Sequence, residues 1–215
     1  GMGNFKGSKE WTSINRFEAN YQANTEARNK SFAGFINKPV EELVKDENAM
    51  LIGKRIFANN CALCHGSDAA GAVGFPNLTD DDWNWGGDFD SILTTVDGGR
   101  VGVMPAFAPA LGEDGTKQVA AYVRSLSGIN HDAGLAAEGQ QKFGVFCAAC
   151  HGPDGKGLDM FGAPDLTDNT WLYGSDSIIE TALYEGLSGN MPAQKDILDE
   201  NRIKLVAAYI YSLNK

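Results

Sequence analysis

No stretch of about 18 consecutive apolar residues occurs in this chain, so nothing in it is suited to span a membrane as a helix. No secretory signal is visible. Gly1-Met2-Gly3 reads as a cloning remnant joined to an internal fragment, so the lack of an anchor is expected to describe the fragment. Cationic residues are few: 18 Lys and Arg stand against 28 Asp and Glu, for a net charge of −10. Nothing offers the basic stripe that nucleic acid requires. Cysteine is limited to four residues and histidine to three.

The acidity is uneven. Residues 1–48 carry seven basic and seven acidic groups, 49–128 carry five and nine, and 129–215 carry six and twelve. Two readings stand side by side: the acidity steers a basic protein partner, or it only keeps the protein soluble. A chain of 215 residues is long enough for one large domain or two small ones.

The scarce cysteines are concentrated. All four fall in two copies of C-x-x-C-H, Cys61-Ala62-Leu63-Cys64-His65 and Cys147-Ala148-Ala149-Cys150-His151. This is the attachment signature of a c-type haem. Two sulfurs bond to the haem edge and the adjacent histidine becomes an axial ligand of the iron. A thioredoxin-like site needs neither the histidine nor a second copy. A zinc site built from two C-x-x-C pairs separates them by roughly 15 to 20 residues, far less than the gap here. Two structural disulfides across two-residue gaps would form small, strained rings. Two covalently bound haem c groups are therefore expected, each stapling a small core.

The rest of the chain repeats around these motifs. Gly53 and Phe57 precede the first as Gly139 and Phe143 precede the second. Pro76-Asn77-Leu78-Thr79 with Trp83 and Trp85 matches Pro164-Asp165-Leu166-Thr167 with Trp171 and Tyr173. Gly102-Val103-Met104-Pro105 matches Gly189-Asn190-Met191-Pro192, and Val119-Ala120-Ala121-Tyr122 matches Val206-Ala207-Ala208-Tyr209. Equivalent positions are offset by 86 to 88 residues. Two copies imply tandem domains, not a solenoid: an extension over 1–48, a first domain over 49–128 and a second over 129–215, with Ser127–Asp132 as linker. Helices are expected after Ser13, with Ile14, Phe17 and Tyr21 on one face, and near 47–60. The latter and its counterpart would be capped by Asp46 and Asp132.

Each iron needs a sixth ligand or an open face. Met104 follows His65 by 39 residues and Met191 follows His151 by 40, each in a Gly-x-Met-Pro loop. Read along the repeats, these supply the second axial ligand; the alternative is ordinary apolar packing. His/Met ligation suits electron transfer. Met50 and Met160 lack this setting, and His131 is a solvated linker residue. Trp83 and Trp171, with Trp85 and Tyr173, line the haem crevices or pack the cores. Arg100 is placed to pair with a propionate. The second repeat has Leu187 nearby and no such arginine, an asymmetry that would separate the two potentials.

These motifs resemble class I cytochromes c in two tandem copies over 49–215. The resemblance implies an all-α fold, each domain wrapped around a haem, with a mostly helical N-terminal extension. It implies that Gly53 and Phe57 meet Tyr122, and that Gly139 and Phe143 meet Tyr209. It also implies that the carbonyls of Pro76 and Pro164 orient His65 and His151. A narrower likeness rests on Gly3-Asn4-Phe5-Lys6-Gly7, Trp11-Thr12-Ser13, Pro39-Val40-Glu41-Glu42-Leu43 and Phe75-Pro76-Asn77-Leu78-Thr79-Asp80. These resemble the two-haem subunit III of cbb3-type cytochrome c oxidases. That family implies an electron-transfer subunit without its own catalytic centre, on the periplasmic side of the bacterial inner membrane, anchored by a segment absent here. Its partners would be a donor cytochrome c and the one-haem and haem-copper subunits. The alternative is a free periplasmic two-haem carrier. A two-haem peroxidase would need a distal acid/base group, and no motif places one. A gas sensor would require Met104 or Met191 to be displaced.

Overall fold

The structure, a computed structural model, describes residues 12–214. Residues 3–7 and Trp11 lie outside them.

The chain is mostly helical. Helix α1 spans Ser13–Ile36, and its cap is Thr12, one residue earlier than expected, whose Oγ1 accepts from the Asn15 N–H at 3.0 Å. Ile14, Phe17 and Tyr21 do share a face, but they are 66, 68 and 55% exposed. The far end of the helix is docked. Phe32 is buried, and Lys204 Nζ donates to the carbonyls of Ile36 at 2.6 Å and Lys38 at 2.9 Å. After the short α2 (Val40–Leu43), helix α3 runs Glu47–Asn60, with the Asp46 carboxylate accepting from Asn48 and Ala49. A four-residue turn, α4 (Ala62–His65), follows, then α5 (Phe89–Gly98), capped by Asp88.

Strand β1 (Arg100–Met104) leads into α6 (Ala108–Leu126), which breaks at Gly112, φ 69°. The second repeat gives α7 (Ala133–Phe146), capped by Asp132, and α8 (Ala148–His151). Helix α9 (Ile178–Glu185), strand β2 (Leu187–Met191) and α10 (Glu200–Tyr211) complete it.

Two departures from the sequence reading appear within the mostly helical fold. One small sheet is added to the helices: β1 and β2 pair antiparallel, Arg100 opposite Met191 and Met104 opposite Leu187. The methionines thus end strands instead of riding in loops, and Pro105 and Pro192, which lack an N–H, stop each ladder.

The second correction concerns the closing helices. Helix α6 packs on α7 and α9 of the following repeat, and α10 packs on α3 and α5 of the preceding one. A Cβ at Gly53 would stand 2.5 Å from the Leu205 carbonyl oxygen and 2.7 Å from Tyr209 Cβ. At Gly139 it would overlap the Gln118 carbonyl, with Tyr122 Cβ at 2.9 Å. The ring pairs follow: Phe57 with Tyr209 at 5.7 Å between centroids, Tyr122 with Phe143 at 5.2 Å. The expected glycine crossings are present, but each joins the two repeats.

The cause is the linker. Only residues 127–132 separate α6 from α7, and a link that short makes consecutive helices antiparallel neighbours. Once α6 lies on α7, the face of α3 is left for α10. Two cores result. One joins Ile56, Phe57, Cys61, Ile92 and Val96 to Leu205, Val206 and Ala208; the other joins Val119, Ala120 and Val123 to Phe143, Cys147, Ile179 and Leu183. Burying Phe57 and Phe143 in them is worth roughly 1.5–3 kcal/mol each. Each core thus takes residues from both sides of residue 128.

Candidate functional site

Each C-x-x-C-H forms where a helix ends. Cys61 closes α3, its N–H donating to the Phe57 carbonyl at 2.8 Å, and the His65 N–H donates to the Cys61 carbonyl at 3.0 Å. Cys147 and His151 repeat this at 2.9 and 3.0 Å. The chain then reverses at Gly66, φ 79°, and Gly152, φ 77°. The Gly71 N–H returns to the His65 carbonyl at 2.9 Å and the Gly157 N–H to the His151 carbonyl at 2.8 Å.

Those loops deliver a proline carbonyl to each imidazole. His65 Nδ1 lies 3.0 Å from the Pro76 oxygen, and His151 Nδ1 lies 3.2 Å from the Pro164 oxygen. A carbonyl only accepts, so Nδ1 carries the proton and Nε2 keeps its lone pair for an electrophile. Such a bond also fixes the ring and raises its basicity. Both imidazoles are 9% exposed. Burial lowers the pKa of His151, against the opposing bond to Pro164, which favours the neutral ligand form.

The cysteines of each pair differ. Cys61 and Cys147 are buried, while Cys64 and Cys150 are exposed. Burial, with a smaller contribution from the neighbouring cysteine, pushes Cys61 and Cys147 up to about 11, so both are neutral thiols at pH 7. Among the described residues no group of three or more His, Cys, Asp and Glu converges as a metal-ion site.

The thioethers follow the exchanged helices. Met191 packs against the core that holds Cys61, and Met104 against the core that holds Cys147. The methionine packed on each core therefore comes from the repeat that does not supply the cysteine buried there. Trp83 packs on the first core and Trp171 on the second. Met50 joins the first core, and Met160 is 76% exposed. His131 is exposed, its Nδ1 2.7 Å from the Ile129 carbonyl.

Arg100 donates from Nε to Thr95 Oγ1 at 2.9 Å, and its guanidinium lies 4.9 Å from the Trp85 ring centroid. Trp85 crosses the repeats: a Cβ at Gly162 would overlap its indole. Tyr173 makes an ordinary contact across the repeats, 3.8 Å from a Cβ at Gly74. The sequence contained the signal for this exchange, the short linker, but not in the motifs themselves.

Each motif therefore offers two thiols and a buried imidazole whose Nε2 keeps its lone pair, with a methionine thioether packed on the core that holds its first cysteine. Soft sulfur and imidazole donors of this kind fit a haem iron. A family model described as cytochrome c oxidase, cbb3-type, subunit III matches residues 48–123 and 134–210. The chain belongs to this family. Among its relatives, the "Cbb3-type cytochrome c oxidase subunit CcoP" of Rubrivivax gelatinosus is 46% identical over the whole chain and 71% of the relative. The subunit FixP of Bradyrhizobium diazoefficiens is 49% identical over 75% of this chain and 60% of its own length. CcoP of Cereibacter sphaeroides is 43% identical over 91% and 72%. The chain thus spans 60 to 72% of these three relatives. As a member of a cytochrome c subunit family it is an electron-transport protein, and the family implies covalently bound haem c.

Proposed function

We propose that this chain carries electrons through two covalently attached haems c, from a donor cytochrome c toward the one-haem and haem-copper subunits of a cbb3-type oxygen reductase. The observation that carries this reading is the duplicated site: two C-x-x-C-H motifs, each with its histidine Nδ1 held by a proline carbonyl and a methionine packed on the core that holds its first cysteine. Bound haem supplies a one-electron Fe(II)/Fe(III) couple.

The chain's residues do the rest. Cys61 and Cys64, and Cys147 and Cys150, form thioether anchors. His65 and His151 donate from Nε2. Met191 serves the His65 site and Met104 the His151 site, so each ligand pair is drawn from both repeats. Trp83 and Trp171 fill the core beside each site and keep water out, and Arg100 stands at the Met191 end of the strand pair. The two cytochrome-like units are therefore interdependent. No catalytic centre is assigned to the chain.

Partners and location rest on the names of the relatives, which are oxidase subunits. The site would face the periplasm. Among the described residues no helix is long and apolar enough to cross a membrane, so attachment would come from a segment outside them. The test is haem content of the full chain expressed with a cytochrome c maturation system: two haems c per chain, reduced to one by Cys147→Ala with Cys150→Ala. A chain that acquires none, or only one, overturns the proposal.

A further inference from the structure

The strand pair carries the clearest charge difference between two otherwise matched sites. Arg100 is directly opposite Met191, Gly102 opposite Gly189, and Leu187 opposite Met104. Directly opposed residues share a face, with Cβ atoms about 4.5–5.5 Å apart. Burial agrees: Arg100, Met104, Leu187 and Met191 are half-buried, while Val101 and Val103 point away, 63% and 68% exposed. The register therefore sets Arg100 across from Met191 and Leu187 across from Met104. Read along the repeat, Arg100 would belong with Met104; the exchange transfers it to the other site.

Arg100 is held there. Thr95 fixes Nε, and the guanidinium lies over Trp85. The indole is wedged against the strand pair, 3.8 Å from a Cβ at Gly102, and against Gly162 of the second repeat. Among the described residues Arg100 makes no ion pair. The other unit is biased the opposite way. A guanidinium in that unit, Arg124 on α6, is matched by two carboxylates, Asp176 at 3.0 Å and Glu180 at 3.1 Å, leaving that cluster with net negative charge.

We infer that Arg100 gives the site built from His65 and Met191 the higher reduction potential, so that electrons pass from the His151/Met104 site to it. This rests on the two-haem reading above. The oxidised iron carries one more positive charge than the reduced iron. A fixed cation without a carboxylate partner disfavours the oxidised form, and surplus carboxylate favours it. In the transfer, one ferrous iron at the His151 site loses an electron and one ferric iron at the His65 site gains it; no proton or bond changes hands. A half-buried unit charge one strand away is worth roughly a tenfold change in such an equilibrium, which is about 59 mV for one electron.

The test is an optical redox titration of the full haem-loaded chain, with haem content measured in parallel. Arg100→Leu is expected to lower the higher midpoint by about tenfold in the electron equilibrium and leave the lower one in place. Arg100→Lys is expected to retain most of the separation, and Leu187→Arg to raise the lower midpoint. Two haems in every variant with midpoints unmoved, or a shift of the lower midpoint in Arg100→Leu, overturns the inference and leaves the two-haem reading standing. Fewer than two haems in the unaltered chain overturns that reading instead.

Discussion

Gly53 of the first repeat and Leu205 of the second are packed so closely that a single methyl on the glycine would reach 2.5 Å from the leucine carbonyl oxygen. That contact is backbone, so it cannot rotate away. Gly53→Ala must push α3 and α10 apart. Overpacking of this kind costs about 1–3 kcal/mol, and Gly139→Ala is expected to cost as much against the Gln118 carbonyl. Gly34 in α1 has nothing within 4 Å of a Cβ, and Gly34→Ala should stabilise by about 0.5–1 kcal/mol. Denaturant titration of the three variants measures the contrast; equal effects would refute the close crossing.

Lys204 ties the N-terminal helix to the exchanged core. Its ammonium bonds the carbonyls of Ile36 and Lys38, which close α1. Lys204→Met keeps the apolar stem and removes both charged bonds, each worth about 1.5–3 kcal/mol at most. Amide exchange in α1 should accelerate while exchange in α7 stays unchanged. Equal acceleration in both would show that the lysine acts on the whole fold.

Asp168 sits where matched loops of the two repeats meet, beside Asp82 and Asp165, and Thr170 Oγ1 reaches across to the Asp82 carboxylate. Burial chiefly, then the neighbouring carboxylates, raise its pKa above the ordinary 3.8, against the bond from the Thr170 N–H. The folded state therefore holds this proton more tightly than the unfolded chain. Stability falls as pH rises from 3.8 through the folded value, and the loss is complete above it. Asp168→Asn removes that loss, so the variant should be the more stable near pH 7, with its advantage disappearing on acidification below 3.8. An advantage independent of pH would contradict the charge argument.

Much of this architecture is written locally. Asp46 and Asp132 cap the helices that run into the two motifs, and the glycine and phenylalanine of each helix do meet a closing helix at its tyrosine. The partner of each crossing is not written locally. Val119-Ala120-Ala121-Tyr122 and Val206-Ala207-Ala208-Tyr209 present nearly the same surface, so either suits either glycine face. Chain connectivity between α6 and α7 decides. The strand pair is equally illegible: Arg100–Met104 and Leu187–Met191 acquire strand structure from each other, across about one repeat length. Ile14, Phe17 and Tyr21 show the converse, a helical stripe that is real but left exposed.

The exchange of methionines between repeats is tested most directly in a one-haem chain. Cys147→Ala with Cys150→Ala leaves attachment at His65 alone. The far-red thioether-to-iron absorption of the oxidised protein then reports which methionine reaches that site. Met191→Ala in this background should abolish the band and Met104→Ala should leave it intact. Loss on replacing Met104, with the band kept when Met191 is replaced, would contradict the exchange and restore ligation within each repeat.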